Sequence, residues 1–383
     1  MSMQGGSLQD LRSANIQKII DELQKVGSAT QADLASATGL SKATVSSLVS
    51  ELEQDGRIRR SSTTASGRRA WSIELVQHEK VALGIEIGEA RISVALVSRE
   101  NEIIGDAAVT IDDQLPLDVR INRAEELARA VMDANNVEYD VVGLAVPCPV
   151  TLEGRISQGF MPLPAWLRSP RFMTMFEEVF EAEPIIESAA RLGALAERSY
   201  GPLKNMNDFA YVLVDRGVEV GLMLGGQLRR GFRGHAGELG HLRVATPGNP
   251  CRCGNHGCLE TMTSFYALSL RWASLDPAAA RVVDPGALFV DALMDDDILA
   301  QRIFDEASEP LARSLASYVN LVDVPTVVLG GPLARAEERH FLSLRLGFER
   351  ALSPAIHNTK LIVSTQGEAA AARGAAWNAL LHQ

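Results

Sequence analysis

The sequence predicts two unlike modules in one chain: a mainly α-helical amino-terminal module with a two-stranded wing over residues 1–80, then a two-lobed α/β domain over residues 81–383. Three observations predict this. Apolar residues keep helical spacing as far as Leu52, they change to strict alternation after Leu75, and consecutive strands followed by alternating helices and strands occur twice in the remainder. The first lobe is expected over about 81–190 with the carboxy-terminal helix, the second over about 191–370.

In the first module, Ile16, Ile19, Ile20 and Leu23 form the stripe of an amphipathic helix that ends near Gly27. Thr30 with Asp33 three residues on reads as a capped start, and the short helix it opens runs through Leu34 to Thr38, stopped by Gly39. Ser41 caps a third helix. Its buried stripe is Val45, Leu48, Val49 and Leu52, which leaves Lys42, Ala43, Ser46, Ser47 and Ser50 on the other face. That face is small and almost uncharged, as close approach to base edges in a major groove requires. Arg57–Ser61 and Trp71–Leu75 read as two strands around the tip SSTTASGRRA. Three helices and such a wing resemble the winged helix-turn-helix domains of bacteria. The resemblance implies that Ser41, Lys42, Ala43, Thr44, Ser46 and Ser47 meet bases and phosphates, while Arg68 and Arg69 reach the backbone or minor groove from the wing tip.

Beyond the wing, VALGIEIG, ARISVALVS and NEIIGDAAVTI predict three consecutive strands. Next come a helix over Leu117–Asn135, a strand over Tyr139–Val146, a helix over Pro170–Glu181, a strand over Pro184–Ile186 and a helix over Ala189–Arg198. The second lobe repeats the scheme with strands at Phe209–Val214, Glu219–Leu224 and Gln227–Arg230, helices from Met262 onward, and a strand over Thr326–Leu329.

Charge separates the modules as well. Residues 1–80 carry 10 Lys and Arg against 9 Asp and Glu, while the rest carries 27 against 39. Five arginines and no acid lie between Arg57 and Arg69, a basic patch on an acidic protein that suggests a nucleic-acid module joined to something else. The sequence has no apolar run of membrane-spanning length and begins without an apolar leader. With only four cysteines and no disulfide pattern, the protein is expected in the cytoplasm.

Three of those cysteines fall in the stretch GELGHLRVATPGNPCRCGNHGCLE, from Gly237 to Glu260. Thiolates and a neutral imidazole suit a borderline-soft tetrahedral cation, so His241, Cys251, Cys253 and Cys258 make a structural zinc set. His235 and His256 are alternative fourth ligands. Four protein ligands leave no open position for catalysis, and the intervening glycines and prolines allow the loop to fold back.

Glu-x-Gly-His followed by Cys-x-Cys-Gly-x-x-Gly-Cys-x-Glu resembles the signature of the ROK family of repressors, open reading frames and sugar kinases. The resemblance implies an actin-like sugar-kinase fold from about Lys80 onward. It also implies zinc on the histidine and three cysteines, and a sugar effector contacted by Glu238, His241 and Glu260. Where the family's kinases carry Asp-x-Gly-x-Thr, this chain has Glu86, Ile87, Gly88, Glu89 and Ala90. The glycine-rich second phosphate loop reads Asp215, Arg216, Gly217, Val218, Glu219, Val220, Gly221. Aligned on Ala194 to Glu197, Ala189 replaces the general base, and Pro162 replaces an upstream sugar-contacting asparagine; a shifted alignment would offer Glu187 as base instead. Taken together, these departures predict a homodimeric regulator, a repressor without catalysis, on a pseudo-palindromic double-stranded operator. A bifunctional sugar kinase and a ligand-independent DNA-binding protein are the alternatives.

Overall fold

The computed structural model describes residues 8–54, 58–65, 68–75, 80–157, 163–275 and 285–383. The chain divides into two compact units, Met1–Lys80 and Val81–Gln383.

In the first unit α1 (Leu8–Val26) buries Ile19, Ile20 and Leu23 against α2 (Gln31–Thr38) and α3 (Lys42–Gln54). The helix α1 begins a full two turns before its apolar stripe, because nothing in LQDLRSAN breaks a helix. Both halves of the capping box form at α2: Thr30 Oγ1 accepts from Asp33 N–H, and the Asp33 carboxylate accepts from Thr30 N–H at 3.0 Å. Gly39 closes the helix at φ 71°. Ser41 Oγ accepts from Thr44 N–H at 3.1 Å and caps α3.

The wing corrects the expectation of two strands. A three-residue strand, β1 (Ser28–Thr30), joins β2 (Ile58–Ala65) and β3 (Arg68–Leu75) in the order β1-β3-β2. Such a short strand has no pattern of its own and exists only because β3 offers it a free edge. Ladder pairing also carries β2 and β3 to the tip, where Ala65 pairs with Arg68, so most of the Ser- and Thr-rich stretch is strand and not loop. Arg57 lies outside the described residues.

The second unit holds two five-stranded sheets of identical topology. The first comprises β4 (Val81–Ile87), β5 (Arg91–Ser98), β6 (Ile103–Thr110), β7 (Val141–Val146) and β8 (Ile185–Ser188), in the order β6-β5-β4-β7-β8. The second comprises β9 (Phe209–Val214), β10 (Val218–Leu224), β11 (Gln227–Leu228), β12 (Thr326–Gly330) and β13 (Lys360–Val363), in the order β11-β10-β9-β12-β13. In each, an antiparallel meander is extended by two parallel strands beside its first strand. β13 escaped the sequence reading because its four residues, KLIV, resemble any short apolar run.

Helices α4 (Leu117–Asn135) and α5 (Phe172–Phe180) cover one face of the first sheet, with Ile121, Ala124 and Phe176 buried. Helices α8 (Phe265–Leu275), α9 (Pro285–Met294), α10 (Ile298–Val322) and α11 (Leu342–Ala351) build the core of the second around Phe289, Phe304 and Leu315. Between the sheets lie α6 (Ala189–Ser199) and α12 (Ala370–Leu381). They press closely: a Cβ on Gly84 would stand 1.8 Å from Ala372 O, one on Gly143 2.0 Å from Ala375 O, and one on Gly221 2.2 Å from Ala190 O. Among the described residues no helix is long and apolar enough to cross a membrane.

Candidate functional site

The cysteine loop leaves the second sheet beyond β11 and returns at α7 (Glu260–Thr263). Gly237, at φ 102°, passes so near β10 that a Cβ would lie 2.0 Å from Val220 O. The loop then doubles back through isolated antiparallel bridges, Arg243 to Cys258 and Pro250 to His256. Cys251 N–H donates to Asn255 O and Gly257 N–H to Asn249 O, both at 2.8 Å. This folding brings one ligand atom each from His241, Cys251, Cys253 and Cys258 within 4.8 Å of one another. His241 Nδ1 lies 3.5 Å from Cys251 Sγ, and Cys253 Sγ lies 3.7 Å from Cys258 Sγ. Ligands about 2.3 Å from a common tetrahedral centre would be about 3.8 Å apart, so these residues can hold a metal ion. Burial keeps the imidazole of His241 below its ordinary pKa, in the neutral form that ligation needs. His235 is directed elsewhere, with Nε2 3.0 Å from Ser157 Oγ, and His256 is not in the cluster.

The two glutamates flank that imidazole. Glu260 Oε1 lies 3.7 Å from Nδ1 and accepts from Cys251 Sγ at 3.1 Å, whereas Glu238 Oε2 lies 3.7 Å from Nε2. With one ring nitrogen on a metal, the other can still meet a hydroxyl beside Glu238. Burial, helped by the charge of Glu219, pushes Glu238 up to about 8, and burial pushes Glu219 itself up to about 7. Ala189 lines the same cleft as Glu219 and Arg252 and offers no base. Glu187, the substitute in a shifted alignment, is committed to structure: Arg191 Nε stands at 3.2 Å and Arg230 Nε at 2.5 Å from its two oxygens. Arg191 is only 2 % exposed and also donates to Ser188 Oγ and Gly234 O, so it is a buried structural cation and not a surface charge. Pro162 lies outside the described residues.

The altered phosphate positions meet one another across the cleft. Glu86, on β4, accepts from Ser93 Oγ at 2.7 Å and pairs with Arg91 at 3.5 Å; Arg91 then reaches Asp215, at the end of β9, at 3.3 Å. Burial alone would lower the Arg91 pKa, but Glu86 and Asp215 drive it above its ordinary value. Glu89 holds Arg252 at 2.9 Å and Arg216 at 3.6 Å. Arg216 also pairs with Asp113 and lies 3.9 Å from the ring centroid of Tyr266. Glu89 and Arg216, which depart from the two phosphate loops of the family's kinases, are thus partners of one another. Arg91, Asp113 and Arg252 were missed, since pairs 124 and 163 residues apart leave no local signal.

In the first unit Ser41, the cap of α3, and Lys42, Ala43, Ser46 and Ser47 on that helix are all exposed, with Thr44 partly so. The backbone of Arg68 and Arg69 lies at the hairpin tip opposite Ala65 and Thr64.

A winged-helix module joined to a duplicated α/β domain, with a Cys3His loop beside the cleft, defines a sugar-kinase-type fold carrying a DNA-binding arm. The chain belongs to the ROK family, whose model matches residues 82–382, and a winged helix-turn-helix DNA-binding model matches residues 12–59. It is similar to the xylose repressor of Bacillus spizizenii (strain ATCC 23059 / NRRL B-14472 / W23), 24% identical over 369 residues that cover 95% of this chain and 94% of the relative. A solved ROK family transcriptional regulator, a homologue of the E. coli MLC protein, superposes with TM-score 0.63 at 22% identity, covering 97% of this chain and 96% of its own. A ROK family glucokinase from Streptomyces griseus, solved with glucose and AMPPNP, gives TM-score 0.67 at 24% identity over 78% of this chain and 99% of its own.

Proposed function

We propose that the protein is a cytoplasmic transcriptional repressor that reads DNA through α3 and the wing and responds to a sugar or sugar derivative held between its lobes. The observation that carries this reading is the ion-paired cleft. Carboxylates and arginines occupy the positions where a kinase would cradle phosphates, and because Arg91 pairs with Glu86 and Asp215, and Arg216 with Glu89 and Asp113, these arginines are committed to carboxylates and not to a triphosphate. Beside the cysteine loop, by contrast, Glu238, His241 and Glu260 still converge as hydroxyl acceptors and donors, although Ala189 and Pro162 depart from the kinases' sugar contacts. The likeness to a Bacillus xylose repressor supports the same class.

In this reading His241, Cys251, Cys253 and Cys258 hold zinc, which when bound offsets thiolate charge and fixes the loop. Glu238 and Glu260 accept the effector's hydroxyls, and the rigid loop keeps them at a set spacing. In this reading the cleft does not catalyse, because Ala189 stands where the family's kinases carry their general base. Ser41, Lys42, Ala43, Thr44, Ser46 and Ser47 face the major groove, and Arg68 and Arg69 bind backbone or minor groove. Two copies, as a homodimer on a pseudo-palindromic operator, would present two such helices about one helical turn or a multiple of it apart. Effector-driven lobe motion then changes the fit to both half-sites at once.

The test combines three measurements on the full chain. Duplexes enriched from a randomised pool should bind with a steep salt dependence, and Arg68→Ala/Arg69→Ala should lower both affinity and salt slope. A thermal-shift panel of sugars and phosphosugars should yield one class that stabilises the protein and releases DNA. ATP with any hexose should give no phosphorylation, and Ala189→Asp should not restore it. ATP-dependent turnover by the wild type would establish the bifunctional kinase instead. DNA binding unmoved by every sugar, with no stabilisation, would favour the ligand-independent alternative.

A further inference from the structure

We propose that Trp71 is a DNA-contacting residue, its indole packing against the sugar edge of a duplex engaged by α3. The inference rests on the DNA-binding reading of this module and adds a contact of a different chemical kind to it. Trp71 is 53 % exposed, whereas Trp166 and Trp272 are buried in the other unit. Its direction follows from the ladder. Directly paired residues of an antiparallel ladder point to the same face, and residues two apart on one strand share it. Ile73 pairs with Arg60 and Trp71 with Ser62, so Trp71 shares the face of Ile73 and Arg60. That face is the one turned toward the helices: Ile73 is fully buried in the core, and Arg60 donates to Ser50 Oγ of α3 at 3.2 Å and pairs with Glu53 at 2.9 Å. Trp71 is the next position toward the tip on this side. There the buried core has ended, and the indole is half exposed on the face where Arg60, two residues along the ladder, meets α3.

The occupant follows from charge and from shape. β2 and β3 carry four arginines, Arg59, Arg60, Arg68 and Arg69, against one acid, Glu74, so the strands that carry Trp71 are net positive and draw a polyanion. A duplex seated on the exposed face of α3 brings its flanking backbone onto the wing, where a flat apolar side chain can cover deoxyribose while arginines meet phosphate.

The experiment uses the full chain with a fluorescein-labelled duplex enriched from a randomised pool by the wild type, and with an unrelated duplex. Trp71→Ala should weaken binding to both duplexes by roughly 5- to 30-fold and leave the slope of log affinity against log salt unchanged, because no counterion-releasing charge is lost. Trp71→Phe should retain most of the affinity. Unlabelled duplex should change tryptophan emission of the wild type and not of Trp71→Phe. A Trp71→Ala protein with an unchanged melting curve and wild-type affinity overturns the proposal, as does emission that ignores DNA while the duplex is bound. Emission that depends on protein concentration alone, without DNA, would overturn it too and assign Trp71 to a contact between copies. Failure of the wild type to bind any duplex would instead remove the DNA-binding reading on which the proposal rests.

Discussion

Arg91→Ala should be among the most damaging single changes in the α/β unit. The Arg91 side chain is 11 % exposed, its partner Glu86 4 %, and its second partner Asp215 29 %. Surface pairs contribute roughly 0 to 1 kcal/mol, but removing one member of a buried pair typically costs about 3 to 5 kcal/mol, because a charge is left without compensation in a poor solvent. Glu86 would be that charge. Ser93 Oγ still donates to it at 2.7 Å, which places the expected loss near the lower end, about 3 kcal/mol. The double variant is the stricter test. Arg91→Ala/Glu86→Gln strands no fully buried charge, because Asp215, the other partner, is 29 % exposed and open to water, and the amide oxygen introduced on β4 can keep accepting from Ser93, so the double variant should sit within about 1 kcal/mol of wild type. Denaturant unfolding followed by the emission of buried Trp166 and Trp272 would report this unit. A single variant within about 1 kcal/mol of wild type, or a double variant as unstable as the single, would refute a buried-pair origin for the stability.

Three further outcomes are expected. Cys258→Ser should carry far less than one zinc per chain by elemental analysis and melt at lower temperature than wild type; equal metal content in both would remove Cys258 from the ligand set. Gly84→Ala should cost about 3 kcal/mol or more, since its Cβ would stand 1.8 Å from Ala372 O and α12 would have to shift; an unchanged denaturation midpoint would contradict the close approach. Glu219 is raised from 4.5 to about 7 by burial, so the folded chain keeps a proton that the unfolded chain releases. Its contribution to stability is fully present below pH 4.5 and lost as pH rises through about 7. Glu219→Gln should therefore be more stable than wild type at about pH 8 and not at about pH 4.5, and a gap independent of pH would count against this origin.

Local chemistry was legible in the sequence wherever a few adjacent residues decide it. Thr30 with Asp33, Gly39, the stripe of α3 and the cysteine loop all specify their geometry within a short span of chain, and each has the form its spacing predicts. The limits of α4 were read to the residue because Pro116 precedes it and Asn136, at φ 50°, ends it. Elements that depend on a distant neighbour were not legible. β1 needs the edge of β3, β13 needs β12, and the ion pairs of Arg91, Arg216 and Arg252 join strands and loops whose separation in sequence hides them. Arg191 shows the same limit in the opposite sense. A charged residue on a helix reads as solvated, yet Glu187, Ser188 and the Gly234 carbonyl enclose it.

The seating of α12 has a consequence for how the protein comes into being. Residues 370–381 pack against β4 and β7, so the first sheet of the α/β unit lacks one of its faces until the ribosome has made almost three hundred residues beyond β4. Until then Gly84 and Gly143 present a bare, flat backbone surface shaped for another helix. The winged module has a core of its own, which among the described residues runs from Ile16 to Ile73. During synthesis it can become competent for DNA well before the lobes that govern it are complete. A chain stalled or cleaved ahead of α12 would then hold a folded reader attached to an unfinished sensor, and such fragments would bind DNA without the response that a full-length chain provides.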